Sequence, residues 1–149
     1  MTALPGDGRV LVDTNVLAYS YDAEAGAKHS LAVAIVAQLA QSGRLVLSVQ
    51  VLNELVAFLF RRTKPAKSCK LAADIVSELT GVAEILPLRG QQTATALRGV
   101  EGHGLSFWDA LLWATALENG VKLILTEDFQ HGRNLEGVRF VNPFAESTG

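Results

Sequence analysis

The chain has 149 residues, 49% of them apolar and 19% charged, with a net charge of −2 and a pI near 5.9. That length favours one domain (1–149), the apolar content excludes intrinsic disorder, and no apolar run reaches the roughly 18 residues of a membrane span. Cys69 is the only cysteine, which excludes a disulfide framework and a thiolate zinc cluster, and the acidic balance is the wrong sign for a domain that grips nucleic acid by phosphate contacts alone.

Val10-Leu11-Val12 reads as a buried strand ending at Asp13. From His29 to Gln41, Leu31, Ile35 and Leu39 recur at helical spacing, and Gly43 follows the stop. Leu45-Val46-Leu47 is a second buried strand, and Ser48 is placed to cap the helix after it. That helix is expected to run to about Thr63 and to end before Pro65. A further helix spans Ser68 to Leu79, closed by Gly81, and Ala83 to Leu86 is a third strand stopped by Pro87. Gln91 to Arg98 reads as helical and the glycine-rich Gly99 to Gly104 as a loop. Ser106 is the N-cap of a strong helix to Asn119, with Gly120 beyond its end. Lys122 to Thr126 is a fourth strand and Arg139-Phe140-Val141 a short fifth. The tail Glu146 to Gly149 and the first eight residues read as loose. Strands apolar on both faces and separated by helices make a parallel sheet with helices on both sides, a three-layer α/β domain with right-handed crossovers. The pattern leaves the strand order open.

Four acidic residues stand at strand C-terminal ends or helix beginnings, the edge where an open α/β sheet binds ligands. Asp13 follows the first strand, Glu54 lies in the second turn of the helix after the second, Asp109 in the first turn of the helix from Ser106, and Asp128 just beyond the fourth strand. Each also has a structural reading. Asp13 is suited to cap the next turn. Glu54 is a helix-face residue, although Val51, Leu52, Leu55 and Val56 put it near buried surface. Asp109 stands three residues after Ser106, a capping-box spacing. Glu127-Asp128 reads as an acidic loop, and which of the two is the fourth acid stays open by one position. Taken together the structural reading weakens, because four carboxylates at one edge repel one another and penalise folding unless a cation binds. Oxygen ligands without His or Cys select Mg²⁺ or Mn²⁺ over Zn²⁺.

Val12-Asp13-Thr14-Asn15-Val16-Leu17 resembles the opening motif of PIN domains. Asn53-Glu54-Leu55 resembles their second acidic motif, Phe107-Trp108-Asp109-Ala110 their third, and Leu125-Thr126-Glu127-Asp128-Phe129 their fourth. The resemblance spans about Val10 to Asn142, giving a core over about 9–142, and the compact length looks most like the VapC toxins of toxin–antitoxin pairs. It implies a central parallel sheet of strand order 3-2-1-4-5. It also implies a metal-dependent endoribonuclease that leaves a 5′-phosphate and a 3′-hydroxyl. On that resemblance Asp13 and Asp109 ligate Mg²⁺ (or Mn²⁺) directly, Asp128 directly or through water, and Glu54 orients or deprotonates the attacking water. Thr14, Asn15 and Thr126 support them with hydrogen bonds. The family further implies a small VapB-like antitoxin that wraps the early helices and pushes a basic side chain toward the acids.

A mean hydropathy of +0.25 is high for a soluble chain and points to apolar surface kept for partners, hence a homodimer beside the antitoxin. The first eight residues lack a basic stretch followed by an apolar one, so no leader and a cytoplasmic location are expected. Arg61 stands two turns after Glu54 on the same helix face and is a candidate phosphate contact, followed by Arg62, Lys64 and Lys67; the alternative is a solvated helix end whose cations suit the macrodipole. His131 follows the fourth acid and is a candidate RNA contact or a plain loop residue. His29 and His103 lack metal-ligand spacing. Trp108 and Trp113 are read as core or interface packing, and Cys69 as a small helix hydrophobe. Competing readings, kept as alternatives, fit the spacing less well. A haloacid-dehalogenase-like phosphatase needs an Asp where Asn15 stands, a receiver domain needs an acidic pair and a late lysine, and a dinucleotide site needs a glycine-rich first turn. A nonenzymatic PIN-fold interaction module would have no need of all four acids.

Overall fold

The computed structural model describes residues 4–62 and 65–145, with only the backbone described for 65–67. Met1 to Ala3, Thr63, Lys64, the Lys67 side chain and the tail from Glu146, for which expectations are given above, lie outside the described residues. A six-stranded sheet, β1 (Val10–Val12), β2 (Leu45–Ser48), β3 (Glu84–Leu86), β4 (Leu123–Leu125), β5 (Asn134–Leu135) and β6 (Val138–Val141), is flanked by helices. The helices are α1 (Thr14–Tyr19), α2 (Ala27–Gln41), α3 (Val49–Arg62), α4 (Pro65–Val82), α5 (Gly90–His103) and α6 (Phe107–Glu118).

The strand order is β3-β2-β1-β4-β6-β5. Five strands are parallel in the expected 3-2-1-4-5 order, Val138–Val141 being the fifth, and β5 adds an antiparallel edge that the sequence did not reveal. Two residues are too few for a periodic signal. The residues of β1 and β4 are buried throughout, as a two-sided parallel sheet requires. Val12 pairs with Leu125, so the chain leaves both strands at the same level and Asp13 and Thr126 emerge side by side.

Three boundaries differ from expectation. α1 is six residues long, too short for its periodicity to show. α4 begins at Pro65, where proline's missing N–H costs nothing, and continues past Gly81 to Val82. α5 runs through Gly99 to His103 instead of breaking into a loop. There a Cβ on Gly99 would stand 2.9 Å from the Trp113 ring and 3.3 Å from Ala110 Cβ, so this glycine permits α5 to lie against α6. Gly104, at φ 68°, is the residue that ends the helix. The expected caps are in place: Ser48 Oγ accepts from Val51 N at 3.1 Å and Ser106 Oγ from Asp109 N at 3.3 Å. Cys69 is exposed on α4 rather than packed. Among the described residues no helix is long and apolar enough to cross a membrane.

Candidate active site

The C-terminal edge of the sheet opens into a cavity of about 380 Å³, and Asp13, Glu54, Asp109 and Asp128 all line it. Four elements deliver them: the end of β1, the second turn of α3, the first turn of α6 and the turn after β4. Asp22 and Arg61 line it as well.

Asp13 is the most constrained of these carboxylates. It is buried, and it is both site residue and N-cap: Oδ1 accepts from Thr14 N at 2.7 Å and Oδ2 from Thr126 Oγ1 at 2.7 Å. Burial pushes its pKa up to about 6; the Thr126 and Thr14 hydrogen bonds pull the other way, and the nearby charges of Glu54 and Asp128 add to the rise. Thr126 Oγ1 also accepts from Asn15 Nδ2 at 3.4 Å and from Asp128 N at 3.2 Å. One hydroxyl therefore links Asp13, Asn15 and the turn that carries Asp128. Asn15 Oδ1 in turn accepts from Glu127 N at 3.3 Å.

Glu54 is exposed rather than half-buried, since the apolar neighbours on α3 take the core side. Its carboxylate is held from two directions, accepting from Thr14 Oγ1 at 2.9 Å and Gln50 Nε2 at 3.0 Å. Gln50 Nε2 also donates to the Trp108 carbonyl at 3.1 Å, which ties α3 to the first turn of α6 beside Asp109. Its Oε1 is buried without a partner among the described residues. Sequence reasoning missed Gln50; the signal was its position four residues before Glu54, on the same helix face.

The adjacent acids after β4 go separate ways. Glu127 accepts from Tyr19 Oη at 2.7 Å and Lys28 Nζ at 2.5 Å. Burial would raise its carboxyl, but these two partners outweigh that and hold it below the ordinary carboxylate range. Lys28 also faces the Tyr19 and Phe144 rings, at 5.2 and 5.7 Å from their centroids. Asp128 is the acid that lines the cavity. It reaches it although the chain bends at once after Thr126 instead of staying extended.

The weaker candidates separate too. Arg61 lines the cavity, whereas Arg62 bonds Asp22 Oδ1 at 3.2 Å, stands 3.6 Å from Glu24 Oε2 and lies over the Phe58 ring. His131 is drawn to the chain end instead, its Nδ1 accepting from Asn142 N at 3.1 Å. His29 bonds the Tyr19 carbonyl, and His103 bonds Glu136.

The donor set suits a hard divalent cation, being carboxylate oxygen with neither sulfur nor imidazole among the four. The charges suit it as well: burial is the main cause of the raised Asp13 pKa, Glu54 and Asp128 add to it, and a cation would offset that added negative charge. The Asp109 and Asp128 carboxylates have no hydrogen-bond or ion-pair partner among the described residues. The four do not close on a point, however. Among the described residues no three His, Cys, Asp or Glu side chains are grouped to hold a metal ion; Thr14 and Gln50 hold Glu54, and Thr14 and Thr126 hold Asp13.

The PIN domain family model matches residues 10–134. No curated protein matches the chain. Among solved structures, VapC20 of Mycobacterium tuberculosis, a sarcin–ricin loop cleaving toxin, is 25% identical with a TM-score of 0.60, covering 77% of this chain and 86% of that one. FitAcB of Neisseria gonorrhoeae is 20% identical with a TM-score of 0.66, covering 90% of this chain and 97% of that one. VapBC2 of Rickettsia felis, bound to a DNA fragment from its promoter, is 17% identical with a TM-score of 0.62, covering 88% and 96%. At their identities the last two show a shared fold.

Proposed function

The chain belongs to the PIN domain family, and on that premise we propose that it is a Mg²⁺- or Mn²⁺-dependent endoribonuclease, the toxin of a VapBC-type pair. The observation that carries the reading is the cavity onto which β1, α3, α6 and the turn after β4 each deliver a carboxylate.

Asp13, Asp109 and Asp128 are the residues that would hold the cation, with Glu54 beside them. When bound, the cation supplies charge to offset the phosphoryl oxygens and a lowered pKa for an attacking water. Asp13 has its direction set by Thr126 and Thr14, so it offers a pre-aimed oxygen. Asp109 and Asp128, with no protein partner among the described residues, are free to turn toward a ligand. Glu54, held by Thr14 and Gln50 at the cavity wall, orients the attacking water and takes its proton. Arg61 contacts a flanking phosphate. The products are a 5′-phosphate and a 3′-hydroxyl.

The same reading makes 1–149 one PIN domain of the cytoplasm, paired with a small VapB-like antitoxin and with a second copy of itself. Exposed apolar side chains such as Phe60 (48%) and Leu97 (59%) support partner surfaces. The test is sequencing of RNA 5′-ends after brief expression, alongside cleavage by the purified chain with chelator and with Mg²⁺ or Mn²⁺ restored. New 5′-phosphate ends that vanish in chelator and in Asp13→Asn support it. Undiminished cleavage by metal-free protein refutes it.

A further inference from the structure

α6 carries two tryptophans with opposite environments. Trp113 is fully buried, and its Nε1–H donates to the Leu135 carbonyl at 3.1 Å. Trp108 is 63% exposed, more than any other large apolar side chain among the described residues, which excludes the core half of the core-or-interface role expected from sequence. So large an indole is ordinarily covered for most of its surface.

Trp108 is nevertheless held in place. Its carbonyl accepts from Gln50 Nε2, and the Phe107 ring meets it edge-on with centroids 5.2 Å apart and planes at 71°. The residue precedes Asp109 and lines the cavity of the four carboxylates. That cavity is poor in positive charge: among its described lining residues, Asp13, Asp22, Glu54, Asp109 and Asp128 stand against Arg61 as the sole cation. Phosphate contacts by the protein cannot by themselves hold a polyanion at such a wall. An aromatic face binds without charge and accepts every base, because each base has a π-face. A protein partner that covered Trp108 by apolar burial alone would also desolvate Asp109 and Asp128, which line the same cavity without a partner among the described residues, and that is costly for unpaired carboxylates.

We propose that Trp108 is the stacking platform for an unpaired base next to the scissile phosphate, so that the strand is gripped by that base on one side of the cut and by Arg61 at a phosphate. The proposal rests on the nuclease reading above and adds the element that binds the strand.

The experiment titrates a random-sequence single-stranded 12-nucleotide RNA into the Asp13→Asn chain with Mg²⁺, so that the RNA stays intact. It reads indole fluorescence and RNA anisotropy, and light scattering gives the oligomeric state. Trp108→Ala and Trp108→Phe are made on the same background. The expected result is quenching of the exposed indole on binding, affinity weakened roughly five- to a hundred-fold in Trp108→Ala, and most of it restored in Trp108→Phe. Equal affinity in Trp108→Ala overturns the stacking role and leaves the nuclease reading standing. Weaker binding accompanied by loss of a dimer also overturns it, since Trp108 is then an interface residue. A parent chain that binds no RNA, and whose wild type cleaves none, overturns both.

Discussion

Thr126 Oγ1 donates to Asp13 Oδ2 at 2.7 Å across 113 residues of chain, so the ends of β1 and β4 are joined at the first acid of the site. The bond lowers the Asp13 pKa, yet burial beside Glu54 and Asp128 still leaves it at about 6, above its ordinary 3.8. Because the raised pKa belongs to the folded state, the folded chain binds this proton more tightly than the unfolded one. The stabilisation from the Asp13 proton is full below about pH 4 and is lost as pH rises through about 6, in all roughly 3 kcal/mol. Asn at this position cannot ionise. Urea unfolding at pH 4 and pH 7.5 should therefore show Asp13→Asn gaining on the wild type as pH rises and exceeding its stability at pH 7.5. A difference that is the same at both pH values contradicts the burial argument.

Metal binding should act on the same charge. In saturating Mn²⁺ the wild type is expected to melt higher, by about 2.7 kcal/mol of stability at a hundred times Kd, a shift of several degrees for a chain of this size. Asp13→Asn and Asp109→Asn should stay folded, lose most of that increment and lose cleavage. Differential scanning calorimetry with and without Mn²⁺ measures the first, and an RNA cleavage assay the second. An undiminished shift in both variants would remove these residues from the metal site.

Glu127 and Asp128 should separate cleanly. Asp128 lines the cavity, while Glu127 is held by Lys28 and Tyr19. Asp128→Ala is expected to lose most metal affinity and cleavage. Glu127→Ala should keep much of both, and Lys28→Met should resemble it, since each releases the same tie. Metal titrations of the three variants decide, and a crippled Glu127→Ala beside a competent Asp128→Ala would reverse the assignment.

Gly99→Ala tests the α5–α6 seam. The added methyl meets the buried Trp113 ring at 2.9 Å, and neither helix can move without disturbing the core. Overpacking of this kind costs roughly 1–3 kcal/mol, against about 1 kcal/mol gained in helix propensity. The expected outcome is a lower Tm with RNA cleavage per folded molecule unchanged. A Tm at or above wild type would mean that the seam has slack.

What the sequence determined by itself is what local period and chain order encode. Apolar triplets alternating with helical patterns specify a parallel sheet between helices. Asp13, Glu54, Asp109 and Asp128 stand at strand ends and helix starts, which puts all four at one sheet edge, and their motifs mark the family. The tertiary structure decided where side chains point, because that depends on partners far away in sequence. Lys28 and Tyr19, 99 and 108 residues from Glu127, draw it away from the cavity and leave Asp128 there. Asp22, 40 residues before Arg62, holds that arginine by an ion pair, while Arg61 lines the cavity. Trp113 is buried where α5 lies against α6 at Gly99, whereas Trp108, five residues earlier on the same helix, is left exposed on the cavity wall. Helical period marks both tryptophans as apolar; only the packing of neighbouring elements determines which one is covered.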